Sequence, residues 1–87
     1  MYTQKQFGVV MCLYQNGRVD ELKNYKRATI AKITNLHVNT VISAIKEFME
    51  LGYIKEGAKD GISKTYYLTK EGIEIYQKCI GIEWVWL

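Results

Sequence analysis

The chain has no proline, two cysteines and a single histidine, and each scarcity removes a class of explanation. No proline-rich linker divides it, and no repeat or low-complexity segment does so either. Cys12 and Cys79 are too few for a disulfide framework, and neither belongs to a CxxC pair. Each falls in an apolar helical pattern, which favours a buried thiol over a disulfide or redox switch. His37, being alone, cannot build a metal cluster. The N-terminal MYTQKQF is polar where a secretory signal needs an apolar centre, and no run approaches the roughly 20 apolar residues of a membrane span. The expected compartment is the cytoplasm, with no membrane role. A histidine pair, a thiol beside a base in a motif, a glycine-rich phosphate loop and spaced metal ligands are all missing, so the expectation is no enzyme, no cofactor and no metal.

What is present is 87 residues with 48% hydrophobic composition, enough for one small domain over 1–87 whose core is near the lower limit of independent stability. Oligomerisation is therefore expected. The formal charge is +3, distributed unevenly. Between Lys26 and Lys70 eight Lys/Arg face four Asp/Glu, whereas the remainder sums to minus one. A basic middle on a near-neutral frame suits a polyanionic partner.

Periodicity organises the chain. Over residues 3–15, Phe7, Val10, Met11 and Tyr14 recur at i, i+3, i+4, i+7 with Leu13 beside them, predicting an amphipathic helix with Thr3 as its N-cap. Asn16-Gly17 ends it. Arg18 to Lys23 reads as a loop or a helical turn beginning near Asp20. A second helix is predicted from Asn24 or Tyr25 to Thr34, burying Ile30, Ala31 and Ile33 and leaving Lys26, Arg27, Thr29 and Lys32 in solvent. Any strand before it is too short to assign. Asn35-Leu36 makes a turn, with Leu36 facing inward. A third helix follows from about Val38 to Leu51, on which Val41, Ile45 and Phe48 form a stripe widened by Ile42 and Met49. Gly52 stands at its C′ position. Tyr53–Glu56 and Lys64–Leu68 are β-rich runs separated by GAKDGIS, a hairpin signal. Thr69 is placed to cap a last helix in which Ile73, Tyr76 and Ile80 keep helical spacing to about Cys79. Residues 80–87 form an apolar C-terminal tail. The fold class is mainly α with a small β wing (α+β).

The run IAKITNLHVNTVISAIKEFMELGYI and the later YYLTKEG resemble the winged helix-turn-helix of bacterial regulators, of the MarR and PadR-like groups. The resemblance covers about residues 24 to 76, with turn, capping glycine, wing and strand-to-helix junction in order. It implies double-stranded DNA as partner, with the third helix entering the major groove by its N-terminal end. On the wheel, the face opposite Val41 and Ile45 holds Val38, Asn39, Thr40, Ser43 and Ala44, with Lys46 and Glu47 further along. Asn39 offers a bidentate pair to adenine, Thr40 and Ser43 suit phosphate or base, and Val38 suits a thymine methyl. His37 stands where this family commonly places a small polar cap. Either Asn35 shares that duty or the imidazole reaches a phosphate, while an exposed structural residue is the plainer reading of equal weight. Unsatisfied N–H groups at the helix start add attraction for phosphate. Lys26, Arg27, Thr29 and Lys32 are expected on the flanking backbone. Lys59 is expected at the wing tip and Lys55 and Lys64 on its arms, supplying affinity rather than sequence choice. Any one of these basic positions, taken alone, is more often a solvated face.

A lone winged helix contacts few base pairs, and the resemblance implies a two-fold homodimer on half-sites about one helical turn apart, ~34 Å. The first helix with Phe7, and the last helix with Tyr76, Trp84 and Trp86, are the candidates to join the protomers; the alternative is a tail folded over its own core. The larger MarR proteins carry extra helices for which this chain has no room, so it resembles a minimal form found among phage, plasmid and archaeal-virus regulators, and small-molecule sensing is not carried over. The leading expectation is a dimeric transcriptional repressor. Alternatives are a plasmid or phage partition adaptor of TubR type, coating tandem centromere repeats and passing the complex to a filament, and a winged-helix protein–protein interaction module.

Overall fold

A glycine in the left-handed region closes the third helix: Gly52, at φ 81°, donates to the Met49 carbonyl at 3.1 Å while the Tyr53 N–H reaches the Phe48 carbonyl at 2.9 Å. This pair of bonds satisfies carbonyls that the helix leaves orphaned, and a side chain at Gly52 would be strained. The same arrangement ends the first helix, where the Gly17 N–H reaches Tyr14 O and the Arg18 N–H reaches Leu13 O.

The computed structural model describes residues 4–84, with side chains over 6–78. Thr3, the side chains of Cys79 and Trp84, and all of Trp86 lie outside the described residues, and so do the roles expected of them above. The elements are α1 (Gln4–Gln15), β1 (Tyr25–Lys26), α2 (Arg27–Thr34), α3 (Val38–Glu50), β2 (Ile54–Glu56), β3 (Thr65–Leu68) and α4 (Lys70–Trp84). The sheet is antiparallel in the order β1-β3-β2, with Tyr25 opposite Tyr66 and Ile54 opposite Leu68.

The core lies where α1, α3 and the inner face of the sheet meet, and Leu13, Ile30, Val41, Phe48, Ile54 and Leu68 are fully enclosed there. Several apolar positions differ from the periodic expectation. Val9 and Cys12 are buried, while Met11 stays 37% exposed. In the unbroken apolar run from Val9 to Leu13, spacing alone does not say which neighbour faces the centre. Ile33 is 48% exposed, because an eight-residue helix presents one narrow inner stripe and Ile30 occupies it. Ala44, expected on the polar face of α3, is buried in the core between Val41 and Ile45. Its small side chain suits a close approach of α3 to another element. Met49, expected to widen the buried stripe, is exposed.

Helix α2 begins later than predicted. Tyr25 and Lys26 are drawn into a two-residue strand on the free edge of β3, which gives otherwise unpaired backbone groups their partners. The loop before it is held locally and at a distance. Asp20 Oδ1 accepts the N–H groups of Leu22 and Lys23 at 2.9 and 2.8 Å. The backbone bond from Lys23, followed by that from Leu22, holds the Asp20 carboxyl below its ordinary range. Arg18 O accepts from the Leu68 N–H, and Glu21 O from the Ala58 N–H, so both ends of β3 and its hairpin lean on this loop.

Thr69 caps α4 as expected: its hydroxyl accepts the Gly72 N–H at 3.1 Å and donates to Gly52 O at 2.6 Å. Gly72 sits in this helix because the backbone passes so near β3 that a Cβ would collide with the Tyr53 carbonyl and the Leu68 side chain. The helix continues to Trp84, past the predicted end near Cys79.

Candidate nucleic-acid interface

Asn35, at φ 59°, turns the chain out of α2, and Thr34 secures the exit through its hydroxyl, which donates to Ile30 O at 2.7 Å. Leu36 then packs against the core, which fixes where α3 starts. His37 is the N-cap: its Nδ1 accepts the Asn39 N–H at 3.1 Å, and its carbonyl accepts from Thr40 and Val41. Asn35 takes no part in that cap, being committed to the left-handed exit of α2. Accepting through Nδ1 requires the neutral ring to carry its proton on Nε2, which leaves an exposed N–H donor at the mouth of α3.

Val38, Asn39 and Ser43 are exposed on the first turns of α3, and Thr40 is half-buried. Lys46 continues this exposed face. Glu47 does not, because its carboxylate accepts from the Gln6 side-chain amide on α1. That bond ties this side of α3 to α1, while Lys46, Met49 and Glu50 stay exposed.

The basic residues separate into two groups. Lys26, Arg27 and Lys64 border a cleft between the start of α2 and the wing, together with Ala28, Ile62 and Ser63. Arg27 and Lys64 border a second cleft with Lys46, Met49 and Glu56, between α3 and the wing. Four cations, from β1, α2, α3 and the hairpin, therefore flank the junction of α2, α3 and the wing. Two are partly neutralised: Lys26 Nζ lies 3.0 Å from Asp60 Oδ2, and Lys64 Nζ lies 3.6 Å from Glu56 Oε1. The second group stands apart. Lys55 alternates with the buried Ile54 and so projects from the other face of the sheet, beside Tyr67. Lys32 is exposed on α2 and borders neither cleft, and Thr29 is half-buried on the same helix.

Lys59, expected at the tip of the wing, lies just before it. The tip is the turn Asp60–Ser63, in which each of these two residues donates its N–H to the other's carbonyl at 3.1 Å. Gly61, at φ 65°, and Ile62 form its apex. Sequence reasoning missed Ile62 altogether, although the Asp-Gly pair that marks the turn was visible. It also missed the ion pair of Asp60 with Lys26, for which a linear sequence carries no signal.

Between α1 and α4, Tyr76 is enclosed by its own chain: its ring lies 5.3 Å from that of Phe7 and 4.5 Å from that of Tyr14. Phe7 remains half-buried beside it. Cys12 is a free, buried thiol, and burial pushes its pKa up. Among the described residues no group of three or more His, Cys, Asp or Glu stands close enough to hold a metal, and no helix is long and apolar enough to cross a membrane.

A capped helix entered through a tight turn, with a cross-braced hairpin alongside its middle turns and basic side chains between the two, defines a winged helix-turn-helix protein. No protein-family model matches the chain. Individual relatives do: over 71 residues it is 41% identical to the DNA-binding protein TubR of Clostridium botulinum C phage, an alignment spanning 82% of this chain and 88% of that one. The chain belongs to the TubR family. The solution structure of the DNA-binding TubR fragment from Clostridium botulinum superposes with a TM-score of 0.74 at 39% identity, covering 91% of this chain and 99% of the fragment. TubR from Bacillus megaterium pBM400 shares the fold, with a TM-score of 0.79 at 20% identity over 91% of this chain and 87% of its own. These relatives are DNA-binding proteins rather than enzymes.

Proposed function

We propose that the chain binds double-stranded DNA with the start of α3 in a major groove and the wing on the adjoining backbone or minor groove. The observation that carries this reading is the exposed face of Val38, Asn39 and Ser43 standing beside the cleft of Arg27, Lys46 and Lys64. A polar ridge for base edges and a basic border for phosphates thus occupy one side of the domain. Lys26, Thr40, Lys59 and the Nε2 proton of His37 extend that border. Lys32 and Lys55 serve more distant phosphates or remain in solvent.

Within this reading the role is that of a partition adaptor of TubR type, a DNA-binding protein that covers tandem repeats, in preference to a repressor of a single operator. Membership of the TubR family supports the adaptor. The protein works in the cytoplasm as a homodimer, with α1 and α4 as the joining elements and Phe7, Trp84 and Trp86 as the apolar contribution. Tyr76, already enclosed by Phe7 and Tyr14, shapes that surface from below.

Footprinting on the DNA that carries the gene distinguishes the roles. Protection that spreads cooperatively over successive repeats supports the adaptor, whereas one isolated protected operator supports the repressor. Fluorescence anisotropy with random duplex at two salt concentrations tests the DNA reading itself, because phosphate contacts make binding weaken as salt rises. No salt-sensitive binding would instead favour a protein-interaction module.

A further inference from the structure

We infer that Ile62 is an apolar minor-groove wedge, through which the wing discriminates A·T from G·C pairs flanking the bound site. The inference rests on the DNA-binding reading above and names a specificity residue within it.

Ile62 is 98% exposed at the apex of the wing, in a loop otherwise made of glycine, alanine and polar residues. A single exposed aliphatic residue needs no explanation as such. This one differs in its placement. It borders the same cleft as Lys26, Arg27 and Lys64, so the projecting apolar group stands among cations suited to the phosphates on either side of a groove. Its mounting is also braced: Asp60 and Ser63 are cross-bonded beneath it, and Asp60 is tied to Lys26 at 3.0 Å. Further back, the Thr65 hydroxyl donates to Ala58 O at 2.6 Å, and the Ala58 N–H reaches Glu21 O at 2.9 Å. A β-branched side chain on such a base loses little freedom when it is enclosed.

The chemistry of the minor groove supplies the selectivity. That groove is about 6 Å wide, and its A·T floor presents only acceptors, while each G·C pair adds the guanine N2 amino group. Isoleucine packs against a smooth A·T floor. Against G·C it would cover the amino group without offering a hydrogen bond, stripping its water at a cost. Apolar side chains, isoleucine among them, enter the minor groove in other DNA-binding proteins, where they also insert between base steps. Arg27, with the partly neutralised Lys26 and Lys64, favours this polyanionic occupant over a hydrophobic protein surface.

The test uses the full chain and a duplex recovered by selection from a random pool. Flanking pairs are set to A·T, to G·C, or to inosine·cytosine, which lacks the N2 amino group and keeps the major-groove pattern of G·C. The unmodified chain is expected to bind A·T and inosine·cytosine flanks alike and G·C flanks at least about fivefold more weakly. Ile62→Ser, a change at a fully exposed position, is expected to bind all three within about twofold of one another. Salt-sensitive binding that ignores the flanks, or discrimination that survives Ile62→Ser, overturns the inference and leaves the DNA reading standing. Loss of cooperativity between adjacent sites in Ile62→Ser, with discrimination unchanged, overturns it in favour of a contact with a second copy. Absence of salt-sensitive binding to every duplex overturns both.

Discussion

The Lys26 ammonium and the Asp60 carboxylate meet at 3.0 Å, joining the entrance of α2 to the turn of the wing. With the two side chains 42% and 70% exposed, the pair contributes at most about 1 kcal/mol to stability. Its larger effect is on charge, because it places a carboxylate on the face proposed to meet phosphates. Asp60→Asn is expected to raise affinity for every duplex and to steepen the logarithmic salt dependence by about one phosphate contact. Anisotropy titrations over a salt series measure both quantities. Weaker binding by the variant would show that holding the wing in place outweighs the repulsion.

His37 caps α3 through Nδ1, and its Nε2 is proposed to meet phosphate. His37→Ala removes the acceptor for the Asn39 N–H and is expected to cost about 0.5–2 kcal/mol of stability. His37→Ser restores a cap without the outer donor. It is expected to match the parent in thermal unfolding while binding all duplexes more weakly. Undiminished affinity in the serine variant would confine the residue to capping.

Base reading and phosphate attraction are expected to separate by mutation. Asn39→Ala and Ser43→Ala relax sequence preference, at about 1–3 kcal/mol for a lost base contact. Lys59→Ala weakens binding uniformly and lowers the salt dependence. Titrations of selected and random duplex with each variant make the comparison, and equal losses on both for all three variants would count against the division.

The junction between β3 and α4 tolerates little change. Gly72→Ala drives a methyl against the Tyr53 carbonyl and the Leu68 side chain, with an expected loss of about 1–3 kcal/mol. Thr69→Ala removes one bond to α4 and one to Gly52, with an expected loss of about 1 kcal/mol or more. Each kcal/mol corresponds to a fall of roughly 4–8 °C in Tm for a domain of this size, readable by circular dichroism.

Acid should act partly through Asp20. Its carboxyl is held below the ordinary range in the folded chain, so it favours folding above the unfolded carboxylate value of about 4. That contribution disappears as pH falls through the lower folded value. In thermal unfolding from neutral to acid pH, Asp20→Ala is expected to differ from the parent by a constant amount at neutral pH and to converge with it in acid. A gap that widened in acid would contradict the assignment.

Much of the fold was legible because certain backbone conformations demand certain residues. Gly17 and Gly52 announced two helix ends, and Thr69 announced a start through the hydroxyl that an N-cap needs. The order of helix-turn-helix and hairpin followed from these marks and from the stripe of Val41, Ile45 and Phe48. Errors arose where the deciding partner is distant. Ala44, Met11 and Ile33 lie at the margins of apolar arcs, and which margin faces inward depends on how α1, α2 and α3 settle together. Tyr25-Lys26 became a strand only because β3 had an edge to fill. At the candidate interface, the exposed residues at the start of α3 were visible from helical spacing. The gathering of Arg27, Lys46 and Lys64 was not, since it depends on the hairpin folding back toward α2 and α3.

Because β3 is the middle strand, the wing is no free arm. Its inner edge is laced to the residues that lead directly into α2, and through the short turn at Asn35 that helix sets the position of α3. A load applied at the turn of the hairpin therefore passes along ladder bonds toward α2 and α3 instead of dissipating in a slack stalk. The spacing between hairpin turn and helix is therefore set by the chain itself.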